Sequence, residues 1–240
     1  EIHMTTYVLV HGAWHGGWVW RKVAAPLWAL GHRVFTPTLT GLGERAHLAT
    51  LEVNLDTHIQ DIVGVLETEE LTDVVLVGHS YAGMVITGAA DKAAEHLQGL
   101  VYIDAFVPES GVSMQSNNPA RFEMFAKLVD DKDNETMILP PDSGMWDIVE
   151  AADADWLNRR LTPQPINTYT QKLDHEVNFA EIGSLVYVYA SGNKLGQFDK
   201  YADKFSADPA WQYHSVGCGH EVMVDRPDKL VEILSEFSAD

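Results

Sequence analysis

Short, uninterrupted apolar runs alternate along this chain with longer stretches in which apolar residues return every three or four positions. Tyr7-Val8-Leu9-Val10 is such a run, closed by His11-Gly12, and reads as a strand buried on both faces of a parallel sheet. Trp20, Val23, Leu27 and Leu30 then fall at helical spacing within 17–30, and Gly31 ends the helix. A second strand is predicted over 32–35, with its loop from Pro37 to Gly43. Ile59, Ile62, Val63 and Leu66 make 54–70 a helix, with Asp56 and Thr57 as candidate caps. The third strand is expected over 73–77, a helix over 80–95, and the fourth strand over 100–103, closing on Asp104. Strands over 185–189 and 211–216 and helices over 198–205 and 227–237 complete the pattern.

Strict alternation of this kind predicts an α/β fold with a mostly parallel six-stranded sheet and helices on both faces. The alternation breaks between Pro108 and Gly183. That stretch has no clear strand, is rich in Pro, Met, Phe, Trp and acid, and carries a charged run from Asp130 to Glu135. It is too long for a plain loop, so a helical cap over 108–183 is expected, inserted into a core made of 4–107 and 184–240.

Composition narrows the partners more than the fold. A formal charge of −19 over 240 residues argues against nucleic acid or an anionic membrane surface as partner. Hydrophobic residues at 46% and charged residues at 21% fit an ordinary globular chain, and no apolar run approaches the ~20 residues of a membrane span. A single cysteine, Cys218, excludes an internal disulfide and points to a reducing, cytoplasmic location.

The chemistry gathers at Gly78-His79-Ser80-Tyr81-Ala82-Gly83, where an apolar strand meets a helix. Gly-x-Ser-x-small at such a junction is the pattern of a nucleophile elbow, with small residues where strand and helix cross. Ser80 needs a base, and that base needs an orienting group. Of the 11 histidines, His220 alone lies in a glycine-flanked loop between the last strand and the last helix. His79 is expected to point away from the serine and to serve the structure. For the acid, Asp104 ends the strand after the elbow. Asn193 stands in the loop after the next strand, but an amide favours the wrong imidazole tautomer, and the comparable swap costs roughly 10⁴-fold in rate. Asp199 and Asp203 remain alternatives. Backbone N–H groups of Ala13 and Tyr81 are the candidate oxyanion donors.

Other chemistries fit less well. Gly41-Leu42-Gly43-Glu44-Arg45-Ala46 matches a dinucleotide-binding string, but it follows the second strand after Pro37 and no helix clearly opens in it. No Cys pair or helical His-Glu-x-x-His is present, so neither cofactor nor metal is expected. Trp14, Met145 and Trp146, with Met114, Phe122, Phe125 and Trp156, are expected to wall a flat apolar slot for a small aromatic or apolar ester.

With these residues placed, the chain resembles the α/β-hydrolase superfamily over essentially its whole length. The branch it looks most like holds plant methyl-ester esterases, hydroxynitrile lyases and bacterial small-ester hydrolases. The matching stretches are 8–17, 78–83 and Gly219-His220. The lyases of that branch carry threonine where this chain has Gly12 and lysine where it has Glu221, so the resemblance implies an esterase. Residues 37–45 and 101–108 resemble bacterial pesticide-ester hydrolases, in particular carbendazim (benzimidazole methylcarbamate) esterase. That likeness implies a serine carboxylic-ester or carbamate hydrolase of xenobiotic degradation, with Ser80, Asp104 and His220 as its triad.

Overall fold

The structure is a computed structural model and describes residues 3–130, 136–174 and 176–238. Strands β1 (Thr6–Val10), β2 (Arg33–Phe35), β3 (Val74–His79) and β4 (Leu97–Ile103) alternate with helices α1 (Arg21–Ala29), α2 (Leu55–Thr68) and α3 (Ala82–Lys92). The next segment holds α4 (Met114–Asn117), α5 (Pro119–Ala126), β5 (Val129–Asp130), β6 (Met137–Ile138), α6 (Ala151–Asn158), β7 (Gln164–Pro165) and α7 (Asn167–Thr170). Alternation returns with β8 (Ser184–Ala190), α8 (Asp199–Ser206), β9 (Gln212–Val216), α9 (Val222–Asp225) and α10 (Pro227–Ser235).

Six strands form one parallel sheet in the order β2-β1-β3-β4-β8-β9. Every residue of β1 and β3 is buried, as their unbroken apolar runs require. Side chains of alternate residues leave opposite faces of the sheet. Val8, Val10, Leu76 and Tyr102 join the core beneath α2 and α3, while Tyr7, Leu9, Val75, Val77 and Ile103 join the core beneath α1 and α10.

Several local expectations need correction. Asn54, not Asp56 or Thr57, caps α2: its side chain accepts from the Thr57 N–H, and Thr57 Oγ accepts from the Asn54 N–H in return. β3 runs two residues past Val77, because Gly78 and His79 keep the extended register with Tyr102 and Ile103. The segment between β4 and β8 is not purely helical. It carries a small antiparallel sheet, β5-β6-β7, whose two-residue strands are too short to leave a periodic trace in sequence. The charged run from Asp130 extends beyond Asp130 into 131–135, outside the described residues. Gly43 to Leu48 forms a 3-10 helix, so a helical turn does open within the glycine string. Among the described residues, no helix is long and apolar enough to cross a membrane.

Candidate active site

The strand order places β1 and β3 side by side, and the loops leaving their C-terminal ends open a crevice there. Ser80 sits between the last residue of β3 and the first of α3 with φ 54°, the left-handed region that costs a non-glycine residue about 1–3 kcal/mol. Its neighbours make room for that bend. A Cβ on Gly78 would come 2.9 Å from Ile86 Cδ1, and one on Gly83 would overlap the Phe106 carbonyl oxygen at 1.8 Å. A Cβ on Gly12 would lie 3.2 Å from Ser80 Cβ, so the loop after β1 presses directly on the elbow.

Asp104 and His220 are brought together and buried. His220 Nδ1 donates to Asp104 Oδ2 at 2.6 Å, which leaves Nε2 as the acceptor. Asp104 is at φ 40°, and the same Oδ2 accepts from Asn193 Nδ2 at 2.7 Å, while Oδ1 takes the Ala190 N–H at 3.3 Å. Phe198 lies flat on the His220 ring, with centroids 5.2 Å apart and planes 9° from parallel. His79 is buried beside it and donates Nε2–H to the His220 carbonyl at 3.0 Å, so it holds the loop and not the serine. Asp199 is exposed and accepts from the Tyr189 hydroxyl at 2.7 Å, and Asp203 is exposed on α8; neither meets His220.

In the loop after β1, Trp14 takes φ 63° directly after Ala13. The Trp14 N–H is spent on Gln164 Oε1 and its indole Nε1–H on the Ile138 carbonyl. Neither the Ala13 N–H nor the Tyr81 N–H meets an acceptor among the described residues. Two orphan donors flanking a serine are what a developing oxyanion needs.

Ser80 and His220 line one cavity. Trp14, Met114, Phe122, Phe125, Met145, Trp146 and Tyr169 supply its apolar walls, and Asn118, Arg121 and Gln197 its polar ones. Trp14 anchors the aromatic wall, with Phe125 edge-on at 4.9 Å and Trp146 at 6.2 Å. Behind the wall, His58 Nδ1 accepts from the Tyr81 hydroxyl and its Nε2–H donates to Thr40 O. Burial holds His58 at about 4 and His11 at about 3.

A sequence family described as "Alpha/beta hydrolase family" matches residues 7–233. The chain belongs to the alpha/beta hydrolase family. A carbendazim hydrolyzing esterase from Nocardioides sp. (strain SG-4G) is 44% identical over 239 residues, 97% of this chain and 99% of the relative. An alpha-hydroxynitrile lyase from Arabidopsis thaliana is 27% identical over 98% of this chain and 97% of its own length. An extracellular alpha/beta-hydrolase from a Paenibacillus species superposes with a TM-score of 0.85 at 23% identity, covering 98% of this chain and 100% of that one.

In this hydrolase one expected wall residue stands elsewhere. Trp156 packs edge-on against Trp18 at 5.0 Å, outside the cavity, because α6 turns that face towards α1. In sequence Asn193 reads only as an inferior acid, whereas in the structure its amide donates to the carboxylate of Asp104. Phe198 and Arg121 carry no local motif and enter the site through tertiary contacts alone, so the sequence does not single them out. His79, His220 and Glu221 offer potential ligand atoms within 4.8 Å of one another. His79 Nε2 and His220 Nδ1 are already engaged with a carbonyl and a carboxylate, so no metal ligand set is assigned there.

Proposed function

We propose that the hydrolase cleaves small aryl carboxylic or carbamate esters through an acyl-enzyme on Ser80. His220 Nε2 takes the Ser80 proton as Oγ attacks the carbonyl carbon. Asp104 orients the ring and stabilises the imidazolium, and His220 then passes the proton to the leaving alkoxide. Ala13 N–H and Tyr81 N–H receive the oxyanion, each donor being worth ~2.7–4 kcal/mol. Water repeats the cycle and frees the acid. The observation that carries this reading is the buried 2.6 Å Asp104–His220 pair on the cavity that Ser80 lines. Within the class, the methylcarbamate of a benzimidazole is the favoured substrate, supported by the 44% identical relative and by the flat aromatic walls around Trp14 and Trp146. The products would be methanol, carbon dioxide and the aminobenzimidazole. A cyanohydrin-cleaving reading is disfavoured at Gly12, where any Cβ would come 2.9 Å from His79 Nδ1.

The test is a hydrolysis screen over p-nitrophenyl esters, methylcarbamates and pyrethroids, run beside Ser80→Ala. The variant is expected to fold normally and lose turnover of every ester the parent cleaves. Undiminished turnover would end the triad reading, and activity on aryl esters without carbendazim would end only the substrate assignment.

A further inference from the structure

Glu221 follows the proposed catalytic histidine directly and is completely buried, yet neither carboxylate oxygen has a hydrogen-bond partner among the described residues. A buried carboxylate without a donor is costly enough to need an explanation. The nearest charged or titratable contact is His15 Nε2, 3.5 Å from Glu221 Oε1, and that nitrogen is also buried and unpaired. His15 Nδ1 lies 2.6 Å from the Ala13 carbonyl, an oxygen that can only accept, so Nδ1 carries a proton. If Nε2 were bare, its lone pair would face a bare carboxylate, with no donor among the described residues beside either. Trp18 stacks on the His15 ring at 5.6 Å and Trp146 leans on it at 5.3 Å. One more proton removes the conflict, whichever of the two atoms it rests on.

The neighbouring groups do not supply that proton. His11 uses Nδ1–H on the Gly12 carbonyl and Nε2 on the Leu39 N–H. His79 spends its Nε2–H on the His220 carbonyl and turns Nδ1 towards Gly12. His220 gives its Nδ1–H to Asp104. His79 Nδ1 is also buried without a partner, but of these nitrogens only His15 Nε2 comes within 4 Å of the Glu221 carboxylate.

We propose that His15 and Glu221 share one buried proton across their 3.5 Å contact, and that this contact positions the two halves of the active site against each other. His15 is tied through Nδ1 to Ala13, the proposed oxyanion residue, and Glu221 is bonded in sequence to His220. The shared proton thus clamps the oxyanion loop to the base-bearing loop. Glu221 is a positioning residue in this scheme and touches no substrate. The inference rests on the Ser80–His220 reading. Without that proton two acceptors face each other and the loops part.

The test compares Glu221→Gln and Glu221→Leu with the parent on an aryl ester the parent hydrolyses, so that failure of the triad reading shows first, in Ser80→Ala. The Gln amide donates to His15 Nε2 at any pH. Glu221→Gln is therefore expected to keep kcat within about threefold, whereas Glu221→Leu loses about tenfold or more in kcat with little change in KM. Parent protein at neutral pH should also show a downfield, slowly exchanging proton that Glu221→Gln abolishes and Asp104→Asn does not. That second signal needs only the parent and the isosteric variant, so a misfolded Leu variant leaves the test intact. A folded Glu221→Leu variant at the parent's kcat, or no Glu221-dependent proton signal in the parent, would overturn the proposal.

Discussion

Asp104 leaves the end of β4 with a left-handed backbone, and that twist carries its carboxylate sideways to His220 while three N–H groups converge on it. A carboxylate so placed holds the imidazole in the tautomer that leaves Nε2 free, which an amide cannot do. Asp104→Asn is therefore expected to lower kcat by roughly 10⁴-fold with KM little changed, while Asp199→Asn, on the surface, stays near the parent value in the same steady-state assay. Equal losses in both would remove Asp104 from the triad. Ser80 and His220 were legible in sequence because each sits in a glycine-flanked junction whose only economical purpose is a sharp turn. Asp104 was legible through its place at a strand end, with competitors. Asn193, Phe198 and the His15–Glu221 contact were not, because their roles exist only once β8, β9 and the loop after β1 lie side by side.

At the scale of elements, the loop after β9 is seated against the turn that precedes α6. His220 N–H donates to the Trp146 carbonyl at 3.0 Å, and Asp147 accepts from both the backbone N–H and the ammonium of Lys194, which holds its carboxyl below the usual range. The cavity wall at Trp146 and the proposed base at His220 are thus joined by one backbone bond. Gly219 permits the approach, since a Cβ there would fall 2.3 Å from the Trp146 oxygen and 2.5 Å from that of Asp147. Gly219→Ala should push the two loops apart and cost about tenfold or more in kcat/KM, some 1.4 kcal/mol per decade. Gly217→Ala, with nothing within 4 Å of its Cβ, is the matched control, and circular dichroism checks that both variants fold. The core strands and helices were read from periodicity to within a few residues. The three short strands of the inserted segment were not, since two residues cannot display an alternation.

The whole molecule keeps several histidines neutral inside it. Desolvation holds His11 at about 3 and His58 at about 4, against an ordinary 6.5. Both are depressed, so the unfolded chain binds protons first as pH falls. Their stabilising effect is complete above pH 6.5 and drains between there and the folded values. Each contributes a slope of about 1.4 kcal/mol per pH unit. Urea unfolding between pH 7 and pH 5 should show stability falling with acidification. His58→Gln, which can keep both bonds without titrating, should flatten that slope by about 1 kcal/mol per unit averaged over this range. An identical slope in the variant would mean that His58 takes its proton in the folded state as well.

The sheet order also bears on synthesis. Ser80 and Asp104 emerge from the ribosome early, but the imidazole beside them comes from residue 220, after the sixth strand. Domains form as units while translation proceeds from the N-terminus. A chain cut short before β9 would lack the proposed base altogether, and is expected to show no esterase action.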